Sequence, residues 1–212
     1  HPSTEVIVGD IRKIYDGNIK KTLGLKSGEL DLLAGGPPCQ GFSINAPIRS
    51  LDDERNHLFK DYLRVAETIN PKAILIENVP GIISLGKGTV VEQIYKELNR
   101  MGYSVSHRIL FAGHYGVPQM RFRTTFLAIK GKGKVIFPEP THNATAVANF
   151  TSAKELCINV PPLFAQQLKP HTSVWDAISD LPEIEPGNSD GIFGYPTLPQ
   201  NEYQNILRIL FC

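Results

Sequence analysis

Three kinds of side chain that could act together in covalent chemistry stand at the ends of apolar runs in this sequence. The first is the thiol of Cys39. It follows Leu30-Asp31-Leu32-Leu33-Ala34, an apolar run of the kind that fills a buried strand in a parallel sheet. Between them lies Gly35-Gly36-Pro37-Pro38. Neither strand nor helix continues through that stretch, because glycine accepts unusual backbone angles while proline fixes φ and lacks an amide donor. A lone cysteine commonly packs as a small hydrophobe. A core cysteine, however, rarely needs two glycines and two prolines ahead of it and Gln40-Gly41 behind it. The stretch therefore reads as a stiff turn presenting a thiol at the carboxyl end of a strand, where open α/β sheets bind ligands. The second group is Glu77, in the strand pattern Lys72 to Val79 that Pro80-Gly81 terminates. An ionised carboxylate is costly to bury there, so the acid either takes up a proton or is held by a cation or hydrogen bonds. A structural role would suit such a residue, but beside the thiol loop it becomes a candidate general acid or hydrogen-bond donor. The third group is Gln119, Arg121 and Arg123, leading into the strand Thr124 to Ile129. Alternation along a strand turns all three to one face. A salt-bridged sheet edge would account for them. A convergent amide and two guanidinium groups also suit a polar base and its phosphates.

The elements that must position these groups follow from periodicity. Glu5 to Ile11 is a β-branched run ending in Gly9-Asp10, which predicts a strand with an acid at its carboxyl end. Taken alone, Asp10 would serve as a turn residue or helix cap. The polar, basic stretch from Ile14 to Gly28 reads as a solvated face. Ile44 to Asp53 has no period and contains Pro47 and Arg49, the pattern of a mobile loop of functional length. Asp53-Glu54 opens a helix with Leu58, Tyr62, Val65, Ala66 and Ile69 at three- and four-residue spacing, a stripe of ordinary core packing that Asn70-Pro71 ends. Gly88 to Met101 repeats that spacing with Val91, Ile94, Tyr95 and Leu98 and stops at Gly102. A strand from Tyr103 to Phe111 follows. His107 and His114 have no carboxylate or cysteine at ligand spacing and read as solvated or hydrogen-bonded rather than metal-bound. Beyond Pro138-Glu139-Pro140 the periodicity weakens. There, Ser173 to Leu181 predicts a short helix capped by Ser173 and stopped by Pro182, with Trp175 as a packing anchor, and Glu202 to Leu210 predicts another.

Composition narrows the field without choosing a function. A chain of 212 residues is long enough for one domain with an appendage. Its formal net charge of +1 neither demands nor excludes nucleic acid, since a basic cleft can coexist with an acidic surface elsewhere. Cys39, Cys157 and Cys212 are too widely and unequally spaced for a disulfide framework or a CxxC metal site, which favours a reducing, intracellular setting. No basic-apolar leader is visible, and no apolar run approaches the roughly 20 residues of a membrane span. The first residue is His, so the natural amino terminus is expected further upstream.

The stretch Gly36-Pro37-Pro38-Cys39-Gln40-Gly41-Phe42-Ser43 resembles, almost letter for letter, the nucleophile loop of the cytosine-C5 DNA methyltransferases. Three further blocks agree in order and spacing: Glu77-Asn78-Val79-Pro80-Gly81, Ala112 to Pro118, and Gln119-Met120-Arg121-Phe122-Arg123. The likeness runs from near Gly9 to Lys130. A weaker match from Val174 to Pro182 is similar to the passage that leads into the target-recognition domain of these enzymes. Where this chain has His114, family sequences often carry Asp.

That resemblance implies an α/β fold: a Rossmann-like, doubly wound, mostly parallel sheet of the class I methyltransferase kind, with a partial, irregular C-terminal extension. Residues 1–137 would form the central part of the catalytic domain, and 138–212 a linker and the start of the target-recognition region. It also implies roles. Cys39 would add to C6 of cytosine, Glu77 would meet N3 and the exocyclic amine, and Arg123 would face O2. Gln119 and Arg121, with Gln40, Ser43 and Asn78, would bind the DNA, over which the loop from Ile44 to Asp53 would close. Asp10, Pro37 and Leu58 would lie against the cofactor, S-adenosyl-L-methionine. The partner implied is double-stranded DNA with the target cytosine flipped out, in a bacterial cytoplasm or a eukaryotic nucleus, for restriction-modification or epigenetic marking. The family's Gly-rich cofactor loop does not precede Glu5 here, so a second chain or further segments are expected to complete the cofactor pocket. Two alternatives share parts of this pattern: an RNA (tRNA) cytosine-C5 methyltransferase, and a non-catalytic nucleic-acid-binding or regulatory fragment. A cysteine hydrolase is disfavoured, because neither His107 nor His114 sits in a motif marking it as a base for Cys39.

Overall fold

Apolar runs flanked by breakers become strands here, and amphipathic runs become the helices that cover them. The computed structural model describes residues 4, 6, 8–13, 16–38, 58–145, 156–158, 166–184, 187 and 193–211. The chain divides into two units. The first comprises His1–Leu110, Phe122–Pro138 and Ala148–Ile158, and the second Phe111–Arg121, Glu139–Val147 and Asn159–Cys212.

The first unit is built on a four-stranded sheet of β1 (Leu32–Gly35), β2 (Ala73–Asn78), β3 (Tyr103–Phe111) and β4 (Phe122–Lys130), in the order β1-β2-β4-β3. β1 and β2 are parallel, with Gly35 opposite Ile76. β4 runs antiparallel to β2, with Glu77 opposite Thr125 and Asn78 opposite Thr124. The Rossmann-like α/β class is therefore realised with a mixed sheet. Side chains alternate on β2, so Ile74, Ile76 and Asn78 are buried on one face. That face carries α2 (Leu58–Ile69) and α3 (Thr89–Arg100). Phe59, Leu63 and Ala66 of α2 and Val90, Ile94 and Leu98 of α3 share one core with Ile74, Ile76, Phe126 and Ala128. Each fully buried Ile, Leu or Phe of that core contributes about 1.5–3 kcal/mol relative to solvent exposure. On the opposite face Leu32 and Ile129 are 49% and 41% exposed, and Leu75 and Leu127 are half-buried. Asn70, at φ +55°, closes α2 ahead of Pro71, and Gly102, at φ +84°, turns the chain from α3 into β3.

Three sequence expectations change in this unit. The β-branched run from Glu5 gives no strand among its described residues; Val6 and Val8 are exposed, and Ile11–Lys13 form a single 3-10 turn. Strand propensity is a fit to a pleated, half-buried surface, and these valines have none to pack on. The basic stretch, for which the sequence predicts no element, holds α1 (Asp16–Leu23), and with Lys21 and Lys26 exposed it is still a solvated face. β4 starts at Phe122 rather than reaching back through Gln119, since Gln119 N bonds to Val117 O at 2.8 Å and Arg121 N to Gln119 O at 2.9 Å, making tight turns instead of a ladder.

The second unit contains a pair of two-residue parallel strands, β5 (His142–Asn143) and β6 (Lys169–Pro170), then α4 (Val174–Ile178) and α5 (Glu202–Phe211). Ser173 caps α4 as expected, in a reciprocal arrangement with Asp176. Polar contacts join α4 to α5. Buried Gln204 donates from Nε2 to Asp176 O and Ser179 Oγ, both at 2.9 Å, and Arg208 pairs with buried Asp180 at 2.6 Å. Trp175 is not the packing anchor expected of it: it is 74% exposed. A five-residue helix has too little surface to bury both its faces.

Candidate active site

Backbone geometry brings the end of β1 against the end of β2. Because Gly35 pairs with Ile76, the next residues run beside Glu77 and Asn78. A Cβ added to Gly36 would lie 3.3 Å from Glu77 Oε2, so the glycine lets the chain pass close to the carboxylate. Asn78 is buried and spends its side chain on the backbone. Its Nδ2 donates to Pro37 O at 3.0 Å, and its Oδ1 accepts from Val79 N at 2.9 Å. Cys39, Gln40 and Ser43, with the loop from Ile44 to Asp53, lie outside the described residues.

Glu77 and Arg123 meet on the sheet face opposite α2 and α3. Glu77 is opposite Thr125, and Arg123 lies two residues before Thr125 on β4, which turns both side chains to the same side. Arg123 Nε sits 2.6 Å from Glu77 Oε1, with the Glu77 side chain 43% and the Arg123 side chain 24% exposed. Arg123 Nη1 also donates to Phe122 O at 2.8 Å, which fixes the guanidinium plane. Of the alternatives open for Glu77, a cation is the one found, and it is Arg123. A carboxyl group and a guanidinium held together and reaching solvent can grip a planar ring that offers a donor and an acceptor on adjacent edges.

The other residues singled out from sequence fall in different places. Asp10 is engaged by Arg12: the guanidinium, at 2.7 Å, and then the Arg12 backbone amide hold its carboxyl down to about 2. Leu58 and Pro37 are half-buried, at the start of α2 and just beyond β1. Gln119 and Arg121 are exposed and belong to the second unit, where Arg121 O accepts from Ala112 N at 2.9 Å. Since β4 starts at Phe122, strand alternation does not unite them with Arg123.

Two residues near this site carry more than the sequence reading gave them. Tyr62, counted only as part of an apolar stripe, is buried and directs its hydroxyl to Leu33 O and Leu75 O, each at 3.0 Å; burial pushes that hydroxyl well above the usual phenol range. The signal was available, because a hydroxyl in a core stripe needs a partner. His107 is half-buried, with Nδ1 2.8 Å from Tyr95 Oη and its ring stacked on Phe126. Burial, and then Arg108, push its imidazole below the ordinary histidine value. Among the described residues no group of three His, Cys, Asp or Glu is arranged to hold a metal ion, and no helix is long and apolar enough to cross a membrane.

Comparison with known proteins places this geometry in context. The profile of the C-5 cytosine-specific DNA methylase family matches residues 1–195. Type II methyltransferase M.AgeI of Thalassovita gelatinovora is 34% identical over 212 residues, covering 98% of this chain and 48% of that protein. Type II methyltransferase M.AquIA of Picosynechococcus sp. is 38% identical over 194 residues, covering 87% of this chain and 74% of that protein. DNA (cytosine-5)-methyltransferase 1 of Mus musculus is 32% identical over 224 residues, covering 98% of this chain and 14% of that protein. The chain thus spans about half the length of M.AgeI and a small part of the mouse protein.

Proposed function

Because this chain belongs to the C-5 cytosine-specific DNA methylase family, we propose that it is the central part of the catalytic domain of a DNA (cytosine-5-)-methyltransferase acting on a cytosine flipped out of duplex DNA. The observation that carries the reading is the Glu77–Arg123 pair at the strand ends, with the segment entering the Cys39 loop bonded to Asn78. Cys39 is two residues beyond Pro37, and two residues of chain reach no further than about 7 Å.

Cytosine C5 is a weak nucleophile while the ring is aromatic, and covalent addition removes that obstacle. The Cys39 thiolate forms a bond to C6, and the displaced ring electrons move towards C5 and N3. Glu77, as the acid, supports N3 and the exocyclic amine, and Arg123 supports O2. The Glu77–Arg123 pair would open to admit the base, each group exchanging its partner for one edge of the ring. After C5 has been methylated, loss of the C5 proton expels the Cys39 thiolate and restores the ring. Gln119 and Arg121, both exposed, are proposed to meet the DNA, together with Gln40 and Ser43. Asn78 is better suited to holding the Pro37 turn than to touching DNA, since both ends of its amide are engaged.

S-adenosyl-L-methionine, when bound, supplies the methyl group as a sulfonium electrophile. The residues of this chain fit one wall of such a site but not all of it: Pro37 and Leu58 are half-buried, while Asp10 is committed to Arg12. β1 is a terminal strand of the sheet, and apolar side chains beside it face solvent. Further segments of a longer protein, or a second chain, are proposed to cover that face and complete the pocket. The setting proposed is intracellular and, by analogy with the type II relatives, associated with restriction and modification.

The test is methyl transfer from labelled cofactor by the full-length protein to duplex DNA and to tRNA. The expected result is label at cytosine C5 of DNA, with residues 1–212 alone at least tenfold slower. Label in tRNA only would turn the reading to RNA, and label in neither would favour a binding module.

A further inference from the structure

We propose that Tyr62 is a positioning residue of the site: it fixes the end of β1, and through it the approach of Gly36 and Pro37, the residues that lead to Cys39, to Glu77 and Asn78. This rests on the methyltransferase reading above.

Tyr62 projects from α2 onto the two strands whose ends form the site. Its single hydroxyl hydrogen is shared between Leu33 O on β1 and Leu75 O on β2, both at 3.0 Å. Its ring occupies the space a side chain at position 35 would need. A Cβ on Gly35 would lie 2.4 Å from Tyr62 Cε2 and 2.9 Å from Cδ2, distances that no packed carbon tolerates. Tyr62 is 6% exposed, so neither ring nor hydroxyl is free to swing away. One side chain therefore grips β1 by a carbonyl two residues before its end, presses on its last residue, and ties both to β2.

The consequences lie in the next two residues. Gly36 passes against the Glu77 carboxylate, and Pro37 O is bonded by Asn78. Any change in the height of Gly35 over the sheet is carried into both contacts, because Pro37 and Pro38 leave little freedom to absorb it. Packed interiors transmit such shifts rather than damping them. The hydroxyl is not needed to fill the core, since phenylalanine would fill the same volume. Its contribution is register between the thiol loop and the acid.

The test is Tyr62→Phe in the full-length protein, with single-turnover methylation of duplex DNA as the readout. A 1 Å misplacement can cost about 100-fold in rate, and loss of one hydroxyl bond should shift the loop by less, so a fall of about tenfold is expected. The KM for DNA should stay within about twofold, because the phosphate contacts are untouched. Tyr103→Phe is the control. Tyr103 is likewise buried and donates its hydroxyl to Pro71 O at 2.5 Å, away from the end of β1, so this change removes a buried hydroxyl bond of the same kind and should lower the melting temperature comparably while leaving the rate unchanged. An unchanged rate in Tyr62→Phe would overturn the proposal. So would a fall that merely follows the folded fraction, as judged against Tyr103→Phe. If the unmodified protein methylates no cytosine, the functional reading itself fails, and the positioning role falls with it.

Discussion

Glu77 and Arg123 show why an ion pair that reaches solvent need not be a stability device. At 2.6 Å their geometry is good, yet the two side chains are 43% and 24% exposed, so water competes for both. Pairs of this kind are worth no more than about 1 kcal/mol. On the proposed function their value is preorganisation: the acid and the cation are already side by side before a base arrives. Glu77→Gln and Arg123→Ala should therefore each slow methyl transfer by about 10²–10³-fold, while urea unfolding moves by less than about 1 kcal/mol. A large loss of stability with little loss of rate would make the pair structural. Glu77 stood out in the sequence because a charge at the end of an apolar strand is a costly placement, whereas Arg123 was picked out by an alternation with Gln119 and Arg121 that the turns before β4 break. Tyr62 was not, because the spacing that reveals a core stripe is blind to what a hydroxyl at its tip touches.

At the level of elements, α3 and β3 are coupled through one imidazole. His107 on β3 is bonded to Tyr95 of α3 and stacked on Phe126 of β4, while its buried Nε2 has no hydrogen-bond partner among the described residues. Protonating that ring would place a charge in a site that cannot solvate it. Its folded value is depressed below the ordinary value near 6.5, so as pH falls below about 6.5 the unfolded chain takes up the proton first. Stability from His107 is complete above that pH and is lost as pH falls towards the folded value. Urea midpoints measured from pH 7.5 to 5 should decline, and His107→Phe should flatten the decline; an unchanged slope in the variant would assign it to other groups. The elements themselves were readable where a period was long. α2, β2, α3 and β3 match their amphipathic or alternating patterns because each has a partner face to bury against. The run from Glu5 misled for the converse reason, since its β-branched residues have no neighbouring strand among the described residues. The start of β4 was misjudged because backbone bonds around Gln119 outcompete alternation.

Across the molecule, two units rely on different physics. The first has an apolar core between its sheet and helix pair. The second is joined by Gln204, Asp180 and Arg208, while Trp175, Ile209 and Leu210 face solvent. Fold class came from the resemblance of the motif blocks to a known family, and the strands and helices of the first unit agree with it. In the second, sequence gave helix positions but not which side of them would be covered, because a short helix carries too few residues to define a buried face. On the proposed function, Cys39, Glu77 and Arg123 serve one flipped cytosine. The most direct test of this is to incubate the full-length protein and S-adenosyl-L-methionine with duplex DNA in which the target is 5-fluorocytosine. Fluorine at C5 cannot leave as a proton does, so the enzyme stalls while bonded to C6. The expected result is a covalent complex in which peptide mapping finds the base on Cys39, and which Cys39→Ser does not form. No complex with the unmodified protein, or an undiminished complex with Cys39→Ser, would contradict it.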